Sequence, residues 1–163
     1  MRIFKLNNGK LKLQKAWSHR QWILSMLSSR SLYESELVYI HSLLLSDPRN
    51  NSAWNQRWFV SHLGHPGAPL SADDAIQEAQ YAWSCIEVDV WNESPWNYLL
   101  GIGKEQCNNK QTTGNTWDWT EWEEKVVRLG EIQENPCYVL MSSHVNILEL
   151  IGDNASKMKV GLF

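Results

Sequence analysis

Asn50-Asn51-Ser52-Ala53-Trp54-Asn55-Gln56-Arg57-Trp58 is the stretch on which the fold turns. Two others repeat its plan: Ala16-Trp17-Ser18-His19-Arg20-Gln21-Trp22 before it and Asn92-Glu93-Ser94-Pro95-Trp96-Asn97-Tyr98 after it. Their leading tryptophans are 37 and 42 residues apart. A self-similar period of that size marks stacked supersecondary units, each too small to bury its own apolar face. The expectation is an all-α solenoid of antiparallel helical hairpins.

Local signals fill in seven helices. Trp17, Gln21 and Leu24 keep helical spacing, and Ser31 with Glu34 has the form of a capping box opening a helix through Leu37, Ile40 and Leu44 that Asp47-Pro48 stops. Asn50, Asn51 or Ser52 caps the next helix, with Gly64 as its C-terminal cap, and Ser71 opens its partner through Ala75, Ala79, Ala82 and Ile86. Asn92 caps a helix with Pro95 in its first turn, ending near Gly101–Gly103. A polar loop over 106–115 leads to a second capping box at Thr120 and Glu123, a short helix to Leu129-Gly130, and a last helix opened by Asn135-Pro136 and closed by Gly152.

Composition removes several function classes. The net charge is −3 and basic residues are scattered, which excludes a nucleic-acid groove. No apolar run is long enough for a membrane span, and the basic start lacks the apolar centre of a secretory signal. Cys85, Cys107 and Cys137 form no Cys-x-x-Cys pair, so neither a disulfide framework nor a zinc site in this chain is expected, and a cytoplasmic setting fits. The sequons at Asn50 and Asn92 read as helix caps rather than glycan acceptors. The histidines make no metal-binding spacing, and neither a phosphate loop nor a nucleophile elbow is present. Catalysis by this chain alone is not expected. Trp17, Trp54 and Trp96 read as packing residues. Arg20 and Arg57, three residues after their tryptophans, share a face with them, and Leu99 stands where the third arginine would fall. In a functional reading, the Arg and Asn side chains at the helix starts line a surface where a partner or anion docks.

The second and third motifs, continued as Phe59-Val60 and Leu99-Leu100-Gly101-Ile102, closely resemble the repeats of the alpha subunit shared by protein farnesyltransferase and geranylgeranyltransferase type I. Ala16–Ile23 resembles the preceding repeat and Pro136–Leu150 the following helix. The resemblance implies a right-handed superhelix over 16–154, with 1–15 as an atypical N-terminal segment and 155–163 as a tail. It also implies a beta subunit that carries zinc, with magnesium a second candidate ion, and most of the isoprenyl diphosphate and peptide site. Together the subunits would transfer a farnesyl or geranylgeranyl group to a Cys near the C-terminus of target proteins. Trp17, Arg20, Asn50, Asn51, Trp54, Asn55, Arg57, Asn92, Trp96 and Asn97 then form the repeat motif and beta-subunit interface, and Lys12 and Lys15 take the diphosphate-proximal positions. Where the family has Lys-Asn-Tyr-His, this sequence reads Lys12-Leu13-Gln14-Lys15, and the family's upstream Lys-Asn-Tyr-Gln repeat has no counterpart. The chain would then be a shortened subunit, inactive alone. The alternatives are a catalytically inactive helical-repeat interaction module and a Rab-type alpha subunit.

Overall fold

The computed structural model describes residues 16–65, 67–108, 117–133 and 137–160, with side chains up to residue 152. Among these residues there are seven helices and no strand. They are α1 (16–27), α2 (Arg30–Ser46), α3 (Asn51–His62), α4 (Ala72–Val88), α5 (Glu93–Asn108), α6 (Trp119–Ile132) and α7 (Tyr138–Val160). The chain divides into two compact units, one up to Ala68 and one from Pro69 onward.

In the first unit α2 packs against α3. Its core is Ile40 and Leu44 from α2 with Ala53, Trp54 and Val60 from α3, and Leu24 of α1 is also buried. In the second unit α4 pairs with α5 and α6 with α7, and α5 also touches α7. Ala75, Ala79, Ala82 and Ile86 recur at helical spacing along α4 and are fully buried opposite Trp96, Leu99 and Ile102 of α5. The hairpin is therefore α2/α3 and α4/α5, with the tryptophan motif on the second helix. The sequence groups each motif helix with the helix that follows it, and Arg20 of α1 does meet Glu36 of α2. Four-residue turns after Asp47 and Asp89 hold the α2/α3 and α4/α5 pairs together.

Several helix limits differ from expectation, each for a local reason. Asn50 and Ser71 cap as expected, accepting from the Ala53 and Asp74 backbone amides. The Ser31 box does not form: α2 begins at Arg30, and Glu34 instead pairs with Arg30 at 3.1 Å. The Thr120 box is displaced by Asp118, whose carboxylate accepts from the Thr120 amide at 2.8 Å. α3 closes on Leu63 in a right-handed conformation, so Gly64 is not needed as a left-handed cap. α6 continues past Leu129-Gly130 to Ile132, and α7 continues past Gly152 to Val160. Helix α5 runs through Gly101 and Gly103 to Asn108. The need at 103 is for space: a Cβ there would collide with the Trp119 ring and sit 2.8 Å from that of Trp117. The cap assigned to Asn135-Pro136 lies outside the described residues, as do Lys12 and Lys15.

Candidate protein interface

Each hairpin turns on the same hydrogen-bonded frame. Asp47 ends α2 with φ −141° and ψ 87°, and Asp89 ends α4 with φ −142° and ψ 89°. Both amides donate back four residues, to the Leu43 carbonyl at 2.8 Å and the Cys85 carbonyl at 3.1 Å. The two carboxylates then accept from the backbone two residues on, Arg49 N at 3.2 Å and Trp91 N at 3.1 Å. Asn50 and Asn92 follow as caps, accepting from Ala53 N at 3.1 Å and Ser94 N at 3.2 Å. Each cap supplies one of the acceptors that a helix start lacks.

The tryptophans complete this frame. Trp54 Nε1 donates to the Pro48 carbonyl at 3.1 Å, and Trp96 Nε1 donates to the Val90 carbonyl at 3.0 Å. Both rings are buried, so each indole fastens its helix to the turn that introduces it while filling the core. Trp17 is half-buried, and its Nε1 has no acceptor among the described residues. The packing role expected for Trp54 and Trp96 is what the structure shows.

Behind the frame each hairpin holds a buried carboxylate that the sequence reading did not single out. Glu36 of α2 receives Arg20 Nε of α1 at 2.5 Å and Gln56 Nε2 of α3 at 3.2 Å, and Gln21 Nε2 in turn donates to Gln56 Oε1 at 3.0 Å. The hydrogen bond to Glu36 holds the Arg20 pKa above its ordinary value, against a smaller desolvation effect. The Arg20 guanidinium also lies 4.4 Å from the centre of the Tyr39 ring. In the second unit Glu78 of α4 accepts from Tyr98 OH of α5 at 2.7 Å. Both glutamates stand 18 residues before their tryptophans, so the spacing that revealed the motif could also have found them.

The candidate interface residues therefore divide by burial. Trp54, Arg57, Asn92 and Trp96 are buried, and Asn50 is half-buried in its cap. Asn51, Asn55 and Asn97 are exposed, the last two at matching places on α3 and α5. Arg20 keeps an exposed flank beyond its ion pair. Large apolar side chains also face solvent: Trp22, Met26 and Leu27 on α1, and Tyr138, Met141, Val145 and Leu148 along α7. Such stripes mark contact surfaces more often than single exposed residues do.

Two histidines serve packing and pairing. His62 stacks on Trp58 at 4.3 Å, and His144 Nε2 lies 3.2 Å from Glu123. Among the described residues no three His, Cys, Asp or Glu side chains converge to hold a metal ion. No helix among them is long and apolar enough to cross a membrane.

Residues 33–63, most of α2 and all of α3, match the protein prenyltransferase alpha subunit repeat. The chain is 44% identical over 75 residues to the protein farnesyltransferase/geranylgeranyltransferase type-1 subunit alpha of Dictyostelium discoideum, covering 45% of the chain and 23% of that relative. It is 42% identical over 76 residues to the subunit of the same name from Arabidopsis thaliana, covering 45% and 22%. Similarity to the geranylgeranyl transferase type-2 subunit alpha of Saccharomyces cerevisiae is weaker, 28% over 93 residues, covering 56% and 28%. The resemblance to the type-1 alpha subunit thus holds over part of the chain, and the matched stretch spans less than a quarter of those relatives.

Proposed function

We propose that this chain acts as the alpha subunit of a heterodimeric protein prenyltransferase. Its hairpins would stack as a right-handed superhelix against a beta subunit, and the pair would move a farnesyl or geranylgeranyl group from its diphosphate to a Cys near the C-terminus of target proteins. The carrying observation is the turn-and-tryptophan frame built twice at an interval of 42 residues, on one copy of which the prenyltransferase repeat match falls. The higher identity to type-1 than to type-2 subunits favours a type-1 subunit over a type-2 one. In this reading the beta subunit carries the metal and the diphosphate site. The exposed Asn51, Asn55 and Asn97, with the apolar stripes of α1 and α7, supply contact surface. The three thiols fit a cytoplasmic setting.

A second reading, a helical-repeat interaction module without transfer activity, is favoured by one observation. The motif side chains whose bonds are described, Arg20, Asn50, Trp54, Asn92 and Trp96, are engaged in holding the fold. Co-expression with the beta subunits of a farnesyltransferase and of a type I geranylgeranyltransferase separates the two readings. Copurification with transfer to a Cys-ending peptide is the expected result. A stable complex without transfer supports the interaction module, and failure to bind either beta subunit overturns the proposal. Within a complex, a Trp22→Ala/Met26→Ala double variant should lower the yield of copurified beta subunit while leaving helicity unchanged.

A further inference from the structure

Helix α1 carries the tryptophan motif without the burial that the same motif has in α3 and α5. Aligned on the leading tryptophan, Ala16, His19, Arg20 and Ile23 of α1 correspond to Ala53, Gln56, Arg57 and Val60 of α3 and to Pro95, Tyr98, Leu99 and Ile102 of α5. In α3 and α5, against which α2 and α4 pack, every one of these positions is buried. In α1 all four are exposed, Ile23 at 36% against 2% for Val60. This face is centred about a quarter-turn round the helix from Trp22 and Met26, so it is not the stripe assigned to a beta subunit.

Two polar bonds join each covering helix to its motif helix. The first is the indole donating to the turn that ends the cover, Trp54 to the Pro48 carbonyl and Trp96 to the Val90 carbonyl. The second runs from the residue two places after the tryptophan to a buried glutamate of the cover: Gln56 Nε2 donates to Glu36 at 3.2 Å, and Tyr98 OH donates to Glu78 at 2.7 Å. Both donors recur in α1. Trp17 Nε1 is shut off from solvent and has no acceptor among the described residues. A buried N–H left so is costly until an acceptor completes it. His19, whose ring N–H can donate, holds the second place and stacks on Trp22 at 6.1 Å between ring centres.

The sister helices therefore state what fits this face. It is a helix antiparallel to α1, small or apolar opposite Ala16 and Ile23, with a carboxylate level with His19. Its C-terminal end lies over Trp17, because the last turn of a helix has carbonyls without internal donors. Within one chain the cover reaches its motif helix through a turn with Asp seven and Asn four residues before the tryptophan. Lys10 and Leu13 stand at those places before Trp17, and residues 1–15 contain neither Asp nor Glu. A carboxylate-bearing cover thus comes from another chain.

We propose that α1 docks an acidic amphipathic helix of a partner protein in the way that α3 receives α2. Trp17 Nε1 donates to a carbonyl of its last turn, and His19 donates to its carboxylate. The site rests on the repeat geometry and not on prenyl transfer. The test titrates the full chain, with isotope-labelled indoles, with a blocked peptide of residues 30–50, which carries the helix, glutamate and turn that cover α3. The expected result is a saturable shift of the Trp17 indole N–H while that of Trp54 stays in place. The same peptide with Glu36→Gln should bind about fivefold more weakly, as should the unaltered peptide to a His19→Ala chain. Ile23→Asp, at an exposed position that leaves helicity intact, should abolish the shift. No shift at millimolar peptide, a shift of the Trp54 indole instead, equal binding of the glutamine peptide, or undiminished binding to the Ile23→Asp chain would each overturn the proposal.

Discussion

The α2/α3 and α4/α5 hairpins turn on aspartates whose backbone angles agree to within a few degrees, and they differ in what they bury behind the turn. In α2/α3 the buried Glu36 is held by a guanidinium and a carboxamide, and Arg57 is buried on α3. In α4/α5 the buried Glu78 is held by a phenol, and Leu99 takes the place of Arg57. The constant part is the aspartate that ends one helix, the asparagine that starts the next, and the tryptophan that donates back to the turn. The repeat thus specifies how the chain reverses, while the polar interior is settled separately in each hairpin.

If the tryptophan is the common fastening, removing it should be the most damaging change in either hairpin. Trp96→Ala deletes a fully buried indole and leaves the Val90 carbonyl with only the Cys137 thiol at 3.6 Å as donor, a loss of about 3–5 kcal/mol. Trp54→Ala should fall in the same range, roughly 3–5 kcal/mol, since its ring is buried and its Nε1 donates to the turn there too. Chemical denaturation followed by far-UV circular dichroism measures both. A loss below ~1 kcal/mol at either site would break the equivalence, since that is the range of ordinary surface changes.

Gly103 sharpens the contrast next. In the first hairpin the matching place is Ser61, a half-buried residue whose hydroxyl bonds back to the Arg57 carbonyl at 2.9 Å. In the second, a Cβ on Gly103 would enter the buried Trp119 ring. Gly103→Ala should therefore destabilise by about 1–3 kcal/mol despite the better helix propensity of alanine, which offers roughly 1 kcal/mol. Ser61→Ala should stay within about 0.5 kcal/mol, as at ordinary surface sites. An unchanged midpoint for Gly103→Ala would show that the Trp119 ring can swing away.

The same glycine shows where sequence reading stops. Tryptophan spacing, apolar periodicity and the Asn50, Asn92 and Ser71 caps were all legible, because each depends on neighbours within a turn or two. Gly101-Gly103 looked like a helix end because glycine often stops helices, but the residue that requires Gly103 lies on the next helix. Ser31-Glu34 and Thr120-Glu123 fit the capping pattern, yet the competing choices of Arg30 and Asp118 lie just outside it. Of the candidate interface residues, the pattern marked positions at the starts of α1, α3 and α5 without their burial. It could not tell the asparagines that turn inward as caps from Asn51, Asn55 and Asn97, which face solvent. That difference depends on the rotation of each helix against its partner.

The buried carboxylates come third in size. Glu36→Gln removes the charge that Arg20 faces and leaves an amide among donors, so it should cost about 1–2 kcal/mol, reduced by the exposure of the Arg20 side chain. Glu78→Gln keeps an oxygen for Tyr98 OH and should cost less, about 0.5–1 kcal/mol. Paired denaturation curves decide between them. An order in which Glu78→Gln proved the costlier would mean that the phenol, not the ion pair, makes the tighter interior.

The caps separate the hairpins by the smallest margin. Asn50→Ala and Asn92→Ala each remove one acceptor at a helix start, about 0.5–2 kcal/mol, with Asn92 toward the upper end because it is 4% exposed and water cannot replace it. Aspartate distinguishes them further. At Asn50, half-open to solvent, a carboxylate still accepts from Ala53 N and meets the positive end of the α3 dipole, so Asn50→Asp should be neutral within about 0.5 kcal/mol. At Asn92 the same charge would be buried beside Glu93 in the first turn of α5, and Asn92→Asp should lose about 1–3 kcal/mol. Hydrogen exchange at Ala53 and Ser94 reads the two caps separately. Equal protection in both aspartate variants would show that water reaches Asn92 and that burial does not divide the two turns.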